Sequence, residues 1–340
     1  MRRIRSVVIA ASALWFGLPP VAAHAYSALY VFGDSLSDVG NIYAATSGLE
    51  PAAPYANGQF SNGPVWAQDL SHSLGIGTLS PSLLGGTDYA FGGATTGYAG
   101  TATAGSTIPT VTQQVAGFVA AVHSAAPSSA LYAIWIGSND VFNILSGGAV
   151  GAVAVADALG AAQAEATAIQ TLATAGAKDF LVPLVADLGE TPTLRLLGSA
   201  ASAAGTALSQ AYDAALVADL AALAATPGID LSYLDTFSLL DSAIADPSVY
   251  GLTNVTAPCY VGPYTGGGTV CATPDQYLFW DQLHPTVTGQ AIIATAAFDT
   301  VPEPAALVIL ASGLAGMAAL RRRPWGGQAR PIDVMPVTYR

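Results

Sequence analysis

Few residues in this chain could do chemistry, and they stand far apart. Gly33-Asp34-Ser35-Leu36-Ser37-Asp38 is a turn-forming string at the end of an apolar run, and it offers the Ser35 hydroxyl as a nucleophile. Such a hydroxyl attacks a carbonyl only when a neighbouring base removes its proton. Four histidines are available for that task. His24 falls at the end of an N-terminal apolar leader, and His72 and His123 fall in stretches of helical character, where packing or surface roles are the simpler reading. His284 has a different context. In Trp280-Asp281-Gln282-Leu283-His284-Pro285 it follows Asp281 by three residues, and on a helical turn that spacing brings both side chains to one side. Asp281 could then accept from the imidazole N–H, fixing the tautomer and stabilising the imidazolium formed during proton transfer. A capping aspartate beside an incidental histidine would give the same string.

Acyl transfer to serine builds negative charge on the former carbonyl oxygen, so donors must point at it, each typically worth about 3 kcal/mol. The pair Gly92-Gly93 can present an unobstructed backbone N–H, and Asn139 carries a side-chain amide. With the Ser35 N–H these make three donors. Taken singly, Gly-Gly and Ser138-Asn139-Asp140 are as readily turns. The G-x-S-x-G elbow of α/β-hydrolases is absent, which argues against that fold.

Short β-prone runs alternate with longer helical ones between residues 28 and 300, the pattern of a mainly parallel sheet flanked by helices. Strands are expected at 28–32, 131–136, 180–185 and 229–234, with a shorter one at 89–91. Helices are expected at 65–74, 110–124, 151–175, 193–225 and 287–298, and 94–107 reads as a flexible surface loop. Ligands of an open parallel sheet bind beyond the carboxyl ends of its strands. Ser35, Gly93 and Asn139 each come just after a predicted strand, so they should meet at one sheet edge.

Composition sets the remaining bounds. The chain is 52% hydrophobic and 9% charged, yet Ala, Gly, Ser and Thr supply much of it, so the positive mean hydropathy does not require long lipid-facing runs. Arg2, Arg3 and Arg5, an apolar run over 7–18 and Ala23-His24-Ala25 read as a secretory signal cleaved after Ala25. Val301-Pro302-Glu303-Pro304, an apolar stretch over 305–320 and Arg321-Arg322-Arg323 resemble the PEP-CTERM sorting signal of exosortase-processed bacterial proteins; a simple membrane anchor is the alternative. The tail 324–340 is longer than such signals usually leave. Between these ends stand two basic residues, Lys178 and Arg195, against twenty acidic ones, a net charge of about −18 that argues against nucleic-acid binding. Cys259 and Cys271 share one Gly- and Pro-rich segment, and in an exported protein such a pair reads as a disulfide rather than a metal site.

Four ordered blocks resemble the GDSL lipase/esterase family, also called SGNH hydrolases. They are Phe32-Gly33-Asp34-Ser35-Leu36-Ser37-Asp38-Val39-Gly40-Asn41, Tyr89-Ala90-Phe91-Gly92-Gly93-Ala94, Gly137-Ser138-Asn139-Asp140 and Phe279-Trp280-Asp281-Gln282-Leu283-His284-Pro285-Thr286, with further similarity in Asn62-Gly63-Pro64-Val65-Trp66. Asp88 departs from the family, which commonly has Asn there. The resemblance implies a three-layer α/β/α fold of flavodoxin-like topology over 26–300, an acyl-serine intermediate, and no metal or cofactor. It also implies roles: Ser35 nucleophile, His284 base and then acid, Asp281 its orienter, and Ser35, Gly93 and Asn139 as the oxyanion hole. Gly93 is favoured over Gly92, and Asp34 and Asp140 read as residues holding their turns. The expected substrates are small-molecule, lipid or polysaccharide esters, with acyl transfer to an alcohol or a non-catalytic matrix-binding role as alternatives. The expected location is the surface or extracellular matrix of a Gram-negative bacterium, with an exosortase-type processing partner and membrane contact only through the C-terminal segment.

Overall fold

Four apolar runs become the parallel strands β1 (Leu29–Gly33), β2 (Leu131–Trp135), β3 (Asp179–Pro183) and β4 (Asp230–Leu234), paired in that order in a computed structural model that describes residues 26–56 and 58–302. Side chains alternate between the two faces of a strand, and both faces of β1 to β3 are covered, so these are buried at nearly every position, whereas the edge strand β4 is buried only at Leu234. In register, Tyr30, Tyr132 and Phe180 lie on one face, and Val31, Ala133 and Leu181 on the other.

The 89–91 run expected as a strand is not one. Residues 87–91 do extend the sheet beyond β1: Val31 N–H donates to Thr87 O, Tyr89 N–H to Val31 O, and Phe91 N–H to Gly33 O. Their outer edge, however, meets backbone only at Asp88, whose N–H donates to Ser80 O and whose carbonyl accepts the Ser82 N–H, and side chains take the rest. Asp88 accepts the Ala90 N–H, and Asn41 donates to the Asp88 and Ala90 carbonyls. The resulting spatial order, this segment followed by β1, β2, β3 and β4, is that of flavodoxin-like sheets.

One group of helices packs together on the face of Phe32 and Ile134: α3 (Val111–Ala121), α4 (Ser138–Ser146), α5 (Gly151–Thr174) and α7 (Ser199–Ala224). Small residues such as Ala158, Ala161 and Ala162 are fully buried along α5. Glu165 of α5 accepts a 2.6 Å hydrogen bond from Tyr212 of α7. The helix expected over 193–225 is two, α6 (Pro192–Leu196) and α7, interrupted at Leu197-Gly198. On the opposite face α2 (Trp66–Ser73) packs against α9 (Val287–Thr300), and Trp66 meets Trp135 edge-on at 5.7 Å.

Short elements complete the described chain. These are α1 (Asn41–Ala45), α8 (Thr236–Ala245), and the strands β5 (Asn254–Pro258), β6 (Tyr260–Val261), β7 (Thr269–Val270) and β8 (Tyr277–Phe279). Cys259 and Cys271 are disulfide-bonded beside the β6–β7 pair. The 94–107 loop is not simply a free surface loop, because Thr95, Thr96 and Thr101 are buried. Among the described residues no helix is long and apolar enough to cross a membrane. The expected leader 1–25, the apolar stretch over 305–320 and the tail 324–340 lie outside the described residues.

Candidate active site

Ser35 sits on the turn that leaves β1, as its place in the sequence requires. That turn is held from several sides. Gly33 has a φ of +156°, and a Cβ there would come within 2.2 Å of the Trp135 carbonyl oxygen, so the close approach of β1 and β2 at this point requires glycine. Gln114 of α3 grips the same residue twice, accepting the Gly33 N–H at 2.9 Å and donating to its carbonyl at 2.8 Å. Asp34 Oδ1 accepts the Leu36 N–H, the local bond expected of it. Asp38 then ties the turn to the next segment by accepting the Gly40, Asn41, Ile42 and Gly92 N–H groups.

The Ser35 Oγ lies 2.7 Å from His284 Nε2, and His284 Nδ1 lies 2.7 Å from Asp281 Oδ2. An ionised carboxylate can only accept, so Nδ1 carries the proton and Nε2 is left to accept from the serine hydroxyl. Asp281 and His284 are close for a reason other than the expected helical turn. Residues 280–284 form a bend, in which Asp281 Oδ1 accepts the Leu283 and His284 N–H groups at 2.8 Å each. This Asx-type turn folds the imidazole back onto the carboxylate. His72 is an exposed residue of α2, and His123 lies beyond the end of α3, also exposed; neither approaches the site.

Burial opposes ionisation of Asp281, but attraction to His284 and hydrogen bonds from His284 and Tyr55 outweigh it and hold its pKa below the ordinary value. The Tyr55 hydroxyl donates to Asp281 Oδ2 at 2.6 Å. Phe60 covers the imidazole at 5.2 Å between ring centroids, and Tyr264 stands edge-on to it at 6.0 Å. These aromatics close one side of the Asp281–His284 pair. Burial pushes Asp34 up to about 7, with the Leu36 N–H and His284 pulling the other way.

The three anticipated donors border one cleft of about 660 Å³ together with His284. Neither the Ser35 N–H nor the Gly93 N–H has an acceptor among the described residues. The Gly92 N–H is already spent on Asp38, which separates the two glycines on physical grounds. Gly93 has a φ of +80° and lies at the cleft surface. Asn139 donates one amide hydrogen to Ala94 O at 2.9 Å and keeps the other. Asp140 holds the distant 96–101 loop instead of its own turn, accepting the Thr96 N–H and the Thr96 and Thr101 hydroxyls. Asp88, the departure from the family pattern, accepts the Val39 and Ala90 N–H groups, and burial together with Asp38 raises its pKa well above the ordinary value.

Several supporting residues carry roles that the sequence did not assign, although Asn62 and Trp66 lie in a family-like stretch. Tyr55 and Gln114 act through partners 226 and 81 residues away, respectively. Trp66 links the two halves of the site: its indole N–H donates to Ser37 Oγ, and its backbone N–H donates to Gln290 of α9. Asn62 and Ser61 brace the histidine segment by accepting the Val287 N–H and donating to the Pro285 carbonyl.

A parallel α/β sheet whose carboxyl edge brings a serine, a histidine and an aspartate into line beside free donors has the architecture of a serine acyl hydrolase. The chain belongs to the GDSL-like lipase/acylhydrolase family, whose model matches residues 29–297, and the PEP-CTERM protein-sorting motif matches residues 300–323. An uncharacterized protein in the trpE-trpG intergenic region of Pseudomonas putida is 31% identical over 84% of this chain and 50% of its own length. The phosphatidylcholine-sterol acyltransferase of Aeromonas hydrophila is 30% identical over 71% of this chain and 67% of its own. The chain thus spans half the length of the first of these relatives. An acetylxylan esterase from Geobacillus stearothermophilus, solved as a catalytic mutant, aligns with a TM-score of 0.44 at 14% identity, covering 79% of this chain and 91% of that one.

Proposed function

We propose that the chain hydrolyses carboxylic esters through an acyl-serine intermediate. The observation that carries this reading is the unbroken hydrogen-bonded line from Ser35 through His284 to Asp281 at the floor of an open cleft. In the proposed cycle His284 Nε2 takes the proton as Ser35 Oγ bonds to the ester carbonyl carbon. The Ser35 and Gly93 N–H groups and the Asn139 amide receive the negative oxygen of the tetrahedral intermediate. His284 returns the proton to the departing alcohol, and water then repeats the sequence to release the acid.

An exported enzyme of this kind would meet acyl esters of surface polysaccharide or lipid, and the sorting motif at 300–323 supports export and surface sorting in a Gram-negative bacterium. We assign residues 1–25 to a cleaved leader and the C-terminal apolar stretch to a transient inner-membrane anchor processed by an exosortase. Transfer of the acyl group to an alcohol in place of water is a second reading, favoured by the named activity of the Aeromonas hydrophila relative. A non-catalytic matrix protein on the same fold would have no need to retain both nucleophile and base.

The test is covalent labelling of Ser35 by a fluorophosphonate, together with turnover of a short-chain p-nitrophenyl ester by the wild type and by Ser35→Ala. Labelling at Ser35 and loss of turnover in the folded variant are expected. Undiminished turnover by Ser35→Ala would refute the assignment.

A further inference from the structure

We propose that a second, apolar groove behind the reactive turns receives the acyl chain of the substrate, with Leu283 as the partition between groove and cleft; this rests on the hydrolase reading above. The groove has a volume of about 70 Å³ and runs between α8 and α9, where Leu240, Ala243 and Ile292 form its walls. Its relation to the cleft is encoded residue by residue. Ser35, Asn139 and His284 border the cleft, while their immediate chain neighbours Leu36, Ser138 and Leu283 border the groove. Leu283 borders both. The turns that carry the reactive groups are therefore the common wall of two cavities, and an acyl carbon bonded to Ser35 lies one side chain away from the groove.

The lining selects hydrocarbon. No charged side chain borders the groove, and two of its hydroxyls, on Thr191 and Thr236, are spent on the Leu188 and Leu184 carbonyls. Ser138 Oγ, with no partner among the described residues, is the one lining hydroxyl left to a ligand, in a wall otherwise apolar or spent. Leu36 and Leu283 are half-buried although Ser35 and His284 beside them are buried, so apolar surface is available for a chain to cover. Each methylene so covered favours binding about fourfold. The volume holds only roughly two or three methylene-sized groups, which fits a short acyl chain. The wider cleft, with Glu50 and Thr46 on its border, is left for the alcohol part of the ester.

The experiment compares kcat/KM for p-nitrophenyl butanoate and p-nitrophenyl acetate in wild type, Ala243→Leu and Ile292→Ala. Ala243→Leu fills the groove, and the butanoate-to-acetate ratio should fall about tenfold. Ile292→Ala widens it, and the ratio should rise severalfold. Fluorophosphonate labelling of Ser35 runs alongside. Labelled variants with the wild-type ratio would overturn the groove assignment and leave the hydrolase reading standing, whereas a wild-type protein that does not label would overturn that reading itself. Should Ala243→Leu fail to fold, Ile292→Ala decides alone, because an unchanged ratio in that variant is sufficient to reject the groove.

Discussion

Tyr55 and Asp281 are joined by a buried 2.6 Å hydrogen bond although 226 residues of chain separate them. The carboxylate that holds His284 is thus itself held by a phenol from the opposite end of the sequence. Tyr55 in turn packs against Tyr260 and Trp280, with ring centroids 5.3 Å and 6.0 Å away, respectively. Asp281 therefore has little freedom to swing away from the imidazole.

Tyr55→Phe keeps the ring and removes only the donor. A hydrogen bond to a charged group contributes about 1.5–3 kcal/mol to stability, so the melting temperature of the variant should fall. Losing the donor also concentrates negative charge on Asp281, which favours the imidazolium, so the acid limb of the pH–rate profile should move to higher pH. A variant with the wild-type profile would show that the phenol does no more than pack.

On the proposed mechanism, Asn139→Ala removes one oxyanion donor and should lower kcat by about 10²–10³. KM should change far less, because the ground-state carbonyl does not yet carry the charge. A variant that loses affinity while keeping kcat would place Asn139 in substrate binding instead.

Stability should decline as the pH rises through neutrality. Burial raises Asp34 to about 7, Asp140 to about 6 and Asp213 to about 8, whereas the same groups in the unfolded chain ionise near 3.8. Between those limits the folded state binds more protons, so their stabilising contribution is complete at low pH and is lost as the pH rises, at about 1.4 kcal/mol per pH unit for each proton. Asp281 works in the other direction, since its lowered pKa stabilises above the ordinary aspartate range and that contribution disappears in strong acid. A melting temperature higher at pH 5 than at pH 8 is the expected result of a thermal scan; the reverse order would contradict the buried-proton account.

Replacing both Cys259 and Cys271 by serine should cost about 3 kcal/mol on a chain-entropy basis, read as a lower melting temperature. The effect should reach activity as well. Cys259 belongs to the same buried cluster as Tyr55, Tyr260 and Trp280, so loosening it slackens the support of Asp281. Equal kcat with and without a reductant would uncouple the two.

Strands were legible in the sequence because burial of β1 to β3 on both faces leaves little polar alternation to confuse, and β1 to β4 fall within a residue or two of their expected places. Polar residues directly after strand ends marked the sheet edge where Ser35, Gly93 and Asn139 come together. What failed was local detail. The 89–91 strand yields to side-chain bonding by Asp88 and Asn41, and a uniform alanine-rich pattern conceals the break at Leu197-Gly198. The spacing of Asp281 and His284 pointed to the right partners for the wrong reason, since an Asx-type turn and a helical turn both bring such residues together. Tyr55 and Gln114 were invisible because their roles depend on partners distant in sequence, and the family-like stretch ending at Trp66 did not reveal what Trp66 binds.

Ser35 and His284 are hydrogen-bonded across 249 positions, almost the whole described fold. The first turn and a loop near the end of that fold must both be in place before the two groups meet. On the proposed mechanism, ester cleavage would then report on finished folding, and a half-made molecule stays harmless to the acyl groups around it.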